Sequence, residues 1–167
     1  DMVSADAQLI AREYLNTTFS SSFPAVGLDP DIARRVSASI ARNLGQATTY
    51  KTILMNMFGA EEEPAAFADE TKVRRYLDAL KGMFILEEVP GWVPAARDKR
   101  RFTVKPKRYL ADPSLACALL GMSLQALLAD WQTFGLVFEN LVIRDLSVYA
   151  RSLDLLDSKP VRYYRDD

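Results

Sequence analysis

Two carboxylates stand in the stretch GLVFENLVIRDLSVYA, residues 135–150, among side chains that would otherwise make an apolar helix. In such a setting Glu139 and Asp145 could ligate Mg²⁺ for phosphodiester cleavage, since that ion takes carboxylate oxygens. They could equally be structural pins, because a buried carboxylate is costly unless an arginine or backbone N–H groups meet it. On a helix the two point about 120° apart, a poor arrangement for one ion. Asp145 falls inside the face of Trp131, Phe134, Phe138, Leu141, Val142 and Tyr149, which the pattern predicts to be buried, and is the structural acid. Glu139 lies beside that face and is the weak catalytic candidate; no metal is assigned.

A second constellation is basic. Arg97, Lys99, Arg100, Arg101, Lys105, Lys107 and Arg108 crowd into twelve residues, opposed only by Asp98. Such a run could hold phosphates, each contact adding a salt-dependent contribution through counterion release. It could also be a solvated surface or dock on an acidic partner, the EEE stretch at 61–63 being a local candidate. Lys72, Arg74, Arg75 and Lys81 add cations on a nearby helix, diluted by Glu70 and Asp78. Phe102 and Tyr109 interleave with the run, and the alternation turns their rings toward the core.

Several chemistries are excluded. The chain has no histidine, which removes Ser-His-Asp and Cys-His triads and histidine-bearing zinc sites. It has no GxxxxGK[ST] stretch to cradle a nucleotide phosphate. The lone thiol, Cys117, sits on an apolar helix and reads as core; with no disulfide possible inside the chain, a cytoplasmic setting is expected. A net charge of −1 supplies no global field toward nucleic acid. No apolar run is long enough to span a membrane, and DMVSADAQ, with no basic n-region or apolar h-region, is not expected to be a signal peptide. A chain opening on Asp1 is expected to be cut from something longer.

The elements that must position these residues follow from caps and periodicity. Residues 6–19 predict a helix with Leu9, Ile10, Tyr14 and Leu15 on its inner face, broken by SSSFPAVG. Asp29-Pro30 starts a second helix to about Asn43, with Ile32, Val36 and Ile40 inward and Gly45 as terminator. Thr48 or Thr49 caps a third, bearing Tyr50, Ile53, Leu54 and Met57 and ending at Gly59. Beyond a loop at 61–68, Asp69 caps residues 70–83, whose stripe is Val73, Tyr76, Leu77 and Leu80. FILEEV (84–89) is short, β-prone and closed by Pro90, and RRFTV (100–104) and KRYL (107–110) alternate as short strands. Three helices followed by such strands is the order of a winged helix, whose third helix commonly reads a DNA groove. Asp112-Pro113 then starts SLACALLG, Ser123 caps LQALLAD, a long helix covers about 131–151, and VRYYR after Pro160 is a short strand.

These segments also resemble a known family. Trp92 and Pro94, PKRYLADPSLACALLG (106–121), GLVFENLVIRDLSVYA, VRYYRDD, ARNLGQ (41–46) and KVRRYLDALKGMFILEEVPGW (72–92) are similar to a domain-of-unknown-function module. That module forms the C-terminal half of many predicted prokaryotic AAA-type ATPases. The resemblance implies a winged helix followed by a restriction-endonuclease-like domain, with an ATPase domain that binds ATP and Mg as partner. It makes Glu139 the acid on the first helix of the nuclease-like core, and Asp166 and Asp167 the turn into the next strand. The strands expected to bear an aspartate and a Glu-x-Lys pair would follow Asp167.

The expected fold is therefore α+β and mainly helical, with a helical segment at 1–28, a winged helix at 29–110 and an incomplete nuclease-like segment at 111–167. The expected function is non-catalytic: a DNA-binding or domain-docking region of a larger ATPase, with no membrane partner. The alternatives are part of a metal-dependent nuclease, or a pure interaction or oligomerisation module.

Overall fold

Ala11, Leu15, Phe19 and Phe23 stand four residues apart. Four residues overshoot one α-helical turn by about 40°, so such a row should wind off its face. The computed structural model, which describes residues 2–58, 70–94, 97–153 and 159–164, shows how the row is kept straight. Between α1 (Met2–Thr17) and α2 (Phe23–Ala25), residues Thr18–Ser22 take the wider winding of a π-helix. All four apolar residues are buried. The expected break at SSS is absent, because the Thr18 and Ser21 hydroxyls donate back to the carbonyls of Tyr14 and Thr17 within the helix. The expected inner face is corrected too. Leu9, Ile10 and Tyr14 point outward and only Leu15 points in, since the row carrying two phenylalanines buries more apolar surface.

The capping residues act as expected. Asp29 accepts from the N–H groups of Asp31 and Ile32 to start α3 (Pro30–Arg42), and Thr49 caps α4 (Tyr50–Met57). After α5 (Glu70–Gly82), Asp112 caps α6 (Pro113–Leu120) and Ser123 caps α7 (Leu124–Ala129); Asp130 adds a cap, not among those expected, to α8 (Trp131–Arg151). Gly59, the acidic loop at 61–63 and the Asp69 cap lie outside the described residues, as does the side chain of Phe102.

Two of these caps impose a pH dependence. Burial opposes ionisation of Asp112, but hydrogen bonds from Ser114 and Arg144 outweigh it and hold the carboxyl below the ordinary 3.8. Hydrogen bonds from Thr133 do the same at Asp130. A carboxyl depressed on folding contributes stability that is complete above its unfolded value and fades as pH falls through its folded value. The urea midpoint is therefore expected to hold from pH 7 to 5 and to fall below about pH 4. Asp112→Asn keeps an acceptor for the cap but no titration, so its acid limb should be shallower.

The sheet is small. β1 (Leu86–Val89) pairs antiparallel with β2 (Lys107–Leu110), Leu86 opposite Leu110 and Val89 opposite Lys107. The segment between α3 and α4 lies along the far edge of β2: Gly45 N donates to Arg108 O at 2.9 Å, and Arg108 N to Gln46 O at 3.3 Å. Tyr163 lies along the extension of β1, with a parallel bridge to Gly91, and its carbonyl accepts from Trp92 N at 2.7 Å. Among the described residues of the predicted final strand, 161–164, the pairing is this one bridge.

The predicted strand at 100–104 is instead a 3-10 turn, Lys99–Phe102. Asp98 accepts from Arg100 N at 2.8 Å and from Arg100 Nε at 2.9 Å, which curls the chain. A strand there would also have nothing to pair with along β2. The outward backbone groups of Arg108 and Leu110 are taken by residues 45–46 and by the Asn140 side chain.

One buried cluster joins α1, the π-turn, α3, α4, α5, β1, β2 and α6, from Ala11 to Ala116. It crosses both positions, near 28 and near 111, where the chain was expected to divide. Cys117 is half-buried at its margin, and burial raises its thiol. Among the described residues no helix is long and apolar enough to cross a membrane. The protein is mainly helical with one small antiparallel sheet, the α+β class expected.

Candidate nucleic-acid interface

The predicted cations divide into two groups. Arg108 is 4% exposed. Its Nε donates to Glu88 Oε1 at 3.0 Å, its Nη1 to the Thr48 carbonyl at 2.7 Å, and its guanidinium lies over the Tyr50 ring. Lys107 donates to Glu139 Oε1 at 3.1 Å, and Lys81 pairs with Asp78 and Glu88. For Lys81, burial works against the charge, but the two acids outweigh it and raise its pKa. Arg108, expected to reach outward for a partner, is instead buried, while the Lys81 and Lys107 side chains stay 36% and 30% exposed. All three stand beside acids, on α5, β1 and α8, and for Arg108 the pairing is what makes burial of the charge tolerable.

The other group stays on the surface. Lys72, Arg74 and Arg75 are exposed on α5, opposite its buried stripe of Val73, Tyr76, Leu77 and Leu80. Arg97, Lys99, Arg100, Arg101 and Lys105 are exposed on and beside the 3-10 turn. Arg100 pairs with Asp98 at 2.8 Å, and its hydrogen bonds hold that carboxyl below its ordinary range. Arg74 reaches Asp78 at 3.8 Å, a contact between groups mostly in water and so of little weight.

Both carboxylates of α8 are paired within the chain. The Tyr109 hydroxyl donates to Glu139 Oε1 at 2.6 Å, the oxygen that also takes Lys107. Burial, then the bond to Glu139, pushes the Tyr109 phenol well above its ordinary range. Gly45 completes this node. Its φ is +71°, and a Cβ there would sit 3.3 Å from both Glu139 Oε1 and the Tyr109 ring, so the position suits glycine twice over. Asp145 is held by Arg144, which also donates to Asp112 at 2.6 Å. The pairing expected of Asp145 is present, but its side chain is 42% exposed rather than enclosed. Among the described residues no group of three or more His, Cys, Asp or Glu gathers as a metal site.

Asn140 is a position that only the structure brings out. It is fully buried, donates to Leu110 O at 2.8 Å and accepts from Leu110 N at 3.0 Å. An amide set among Phe138, Leu141 and Val142 is the signal that could have found it, since a buried polar group implies a partner. Asn140 also turns α8 over. Its side toward the core carries Leu136, Val137 and Asn140, while Trp131, Phe138, Val142 and Tyr149 are exposed, Trp131 by 74%. The face expected to be buried is therefore the outer one.

A sequence family matches residues 2–126, three-quarters of the chain. The chain belongs to the DUF8612 family. That family is described as a domain of unknown function, and its match runs from α1 into the first half of α7, with the sheet and the basic turn. Nothing in the DUF8612 match ties it to AAA-type ATPases or to restriction-endonuclease-like domains. No curated protein and no solved structure matches the chain.

Proposed function

We propose that residues 29–110 are a winged helix that contacts duplex DNA, in a chain that serves as a non-catalytic region of a larger AAA-type ATPase. The observation that carries this reading is the pairing of Gly45 and Gln46 with Arg108. It adds a third extended segment beside β2, between the first and second of the three helices. The order becomes helix, strand, helix, helix, strand, turn, strand, as in a winged helix. In that arrangement α5 is the reading helix, offering Lys72, Arg74 and Arg75, and residues 97–105 are the wing. The ATPase context rests on the family resemblance, and ATP and Mg would belong to that partner domain.

The test is duplex binding by the chain across a salt series. Affinity should fall steeply with salt, and Arg100→Ala with Arg101→Ala together should flatten the log–log slope by about 2, near 0.9 for each phosphate no longer neutralised. Undetectable binding at low salt would remove DNA as the partner.

The exposed stripe on α8 favours a second reading, a protein-docking module. Large contiguous apolar patches on a soluble surface commonly mark interfaces. Light scattering that shows a concentration-dependent oligomer, abolished by Trp131→Ala with Tyr149→Ala, would favour docking over DNA.

A further inference from the structure

Beside the basic turn lies a pocket of about 520 Å³, within the range that holds small ligands. It is lined by Trp92 and Tyr164 together with Val93, Val104, Lys105 and Arg100, whose guanidinium also holds Asp98 through Nε and Nη2. Trp92 and Tyr164 meet edge-on, 67° between planes and 5.7 Å between centroids, so neither ring closes the other off. They remain 48% and 58% exposed. The arrangement is tied down from behind. Trp92 N and the Pro90 carbonyl are both bonded to the Tyr163 backbone, and Lys107 lies over the Tyr163 ring. Gly91 has no room for a side chain, since a Cβ there would run into Val104.

We propose that this pocket holds one unpaired nucleotide of a nucleic-acid strand, its base against Trp92 and its phosphate between Arg100 and Lys105. Open aromatic faces beside cations are the means by which proteins hold single strands without reading their sequence. A base still stacked in a duplex cannot offer its face to an indole, so the ligand is a nucleotide at a strand end, an overhang or a melted position. This rests on the nucleic-acid reading above and deepens it: the wing would hold the duplex backbone by charge and an unpaired end by stacking.

The experiment uses a Trp131→Phe chain, which leaves Trp92 as the only tryptophan. Its emission and binding are followed with a blunt duplex, the same duplex bearing a short 3′ overhang, the single strand alone, and AMP. The overhang should tighten binding about tenfold over the blunt duplex and quench Trp92. Trp92→Ala should abolish that preference, and Trp92→Phe should keep most of it. Equal affinity for blunt and overhanging duplexes with unchanged emission overturns the pocket assignment and leaves the duplex reading standing. Binding of overhang and single strand without the blunt duplex supports the pocket and removes the duplex reading. No binding to any of them removes both. Quenching by AMP as tight as by the overhang overturns the assignment to a strand. The comparison among nucleic acids needs no pocket variant, so it stands even if a change at Trp92 disturbs the fold.

Discussion

Asn140→Leu is expected to lower the stability of the chain by about 3–5 kcal/mol, although it exchanges an amide for a side chain of similar size. The amide completes both outward backbone groups of Leu110, a residue only 1% exposed. Removing it strands a buried donor and a buried acceptor, each costing about 1–3 kcal/mol. A leucine there adds apolar burial but cannot bond to either group. Denaturant unfolding checks the magnitude. Hydrogen exchange supplies a local reading: the Leu110 amide should lose protection well beyond the global change. An effect under about 1 kcal/mol would mean that α8 is not anchored to β2 through this residue.

Glu88→Ala is the second large effect, and its comparison with the other half of the pair is the informative part. Glu88 faces Arg108, whose side chain is 5% exposed, and also takes Lys81 at 3.3 Å. Losing the acid leaves a buried guanidinium with the Thr48 carbonyl and the Tyr50 ring, at an expected cost of about 3–5 kcal/mol. Arg108→Met leaves a carboxylate that still has Lys81, and should cost about half as much. Arg108→Met with Glu88→Leu removes both charges, and should recover much of the loss because a well-packed apolar pair can match a buried ion pair. Strict additivity of Glu88→Leu and Arg108→Met, each also measured alone by urea unfolding, would show that the pair is not coupled.

Both residues mark where local reading of the chain stops. Arg108 stands in a run of cations that reads as surface, and six of its seven members do remain at least partly in water. Its alternation with Tyr109 placed one of the two inward, but the structure buries both: Tyr109 meets Glu139 while Arg108 meets Glu88. Alternation distributes side chains to two faces; it does not reveal that each face will be covered, one of them by α8. The same limit applies to residues 100–104. Their pattern suits a strand, yet β2 has both edges occupied and Asp98 curls the segment, so pairing opportunity overrode propensity.

The long helix shows the limit most directly. Its periodicity identifies one strongly apolar face, and the chain turns that face outward. A hydrophobic stripe predicts burial against something, but its position around the axis carries no information about what lies nearby. The bonds of Asn140 to Leu110, of Glu139 to Tyr109 and Lys107, and of Arg144 to Asp112 set the rotation instead. Every one of these joins residues about thirty positions apart, so none is visible in a window of sequence.

What the sequence determined alone is local. Asp29, Thr49, Asp112 and Ser123 start their helices because a side-chain oxygen within three residues satisfies N–H groups that the helix leaves open. The stripes of α3, α4 and α5 follow from spacing within each helix. The tertiary structure alone decided which cations remain outward, which face of α8 is covered, and that Trp92, Tyr164, Arg100 and Lys105 surround one pocket. Those outcomes depend on desolvation and pairing between distant segments, and the cost of a buried charge or an open strand edge is set only once the chain has closed on itself.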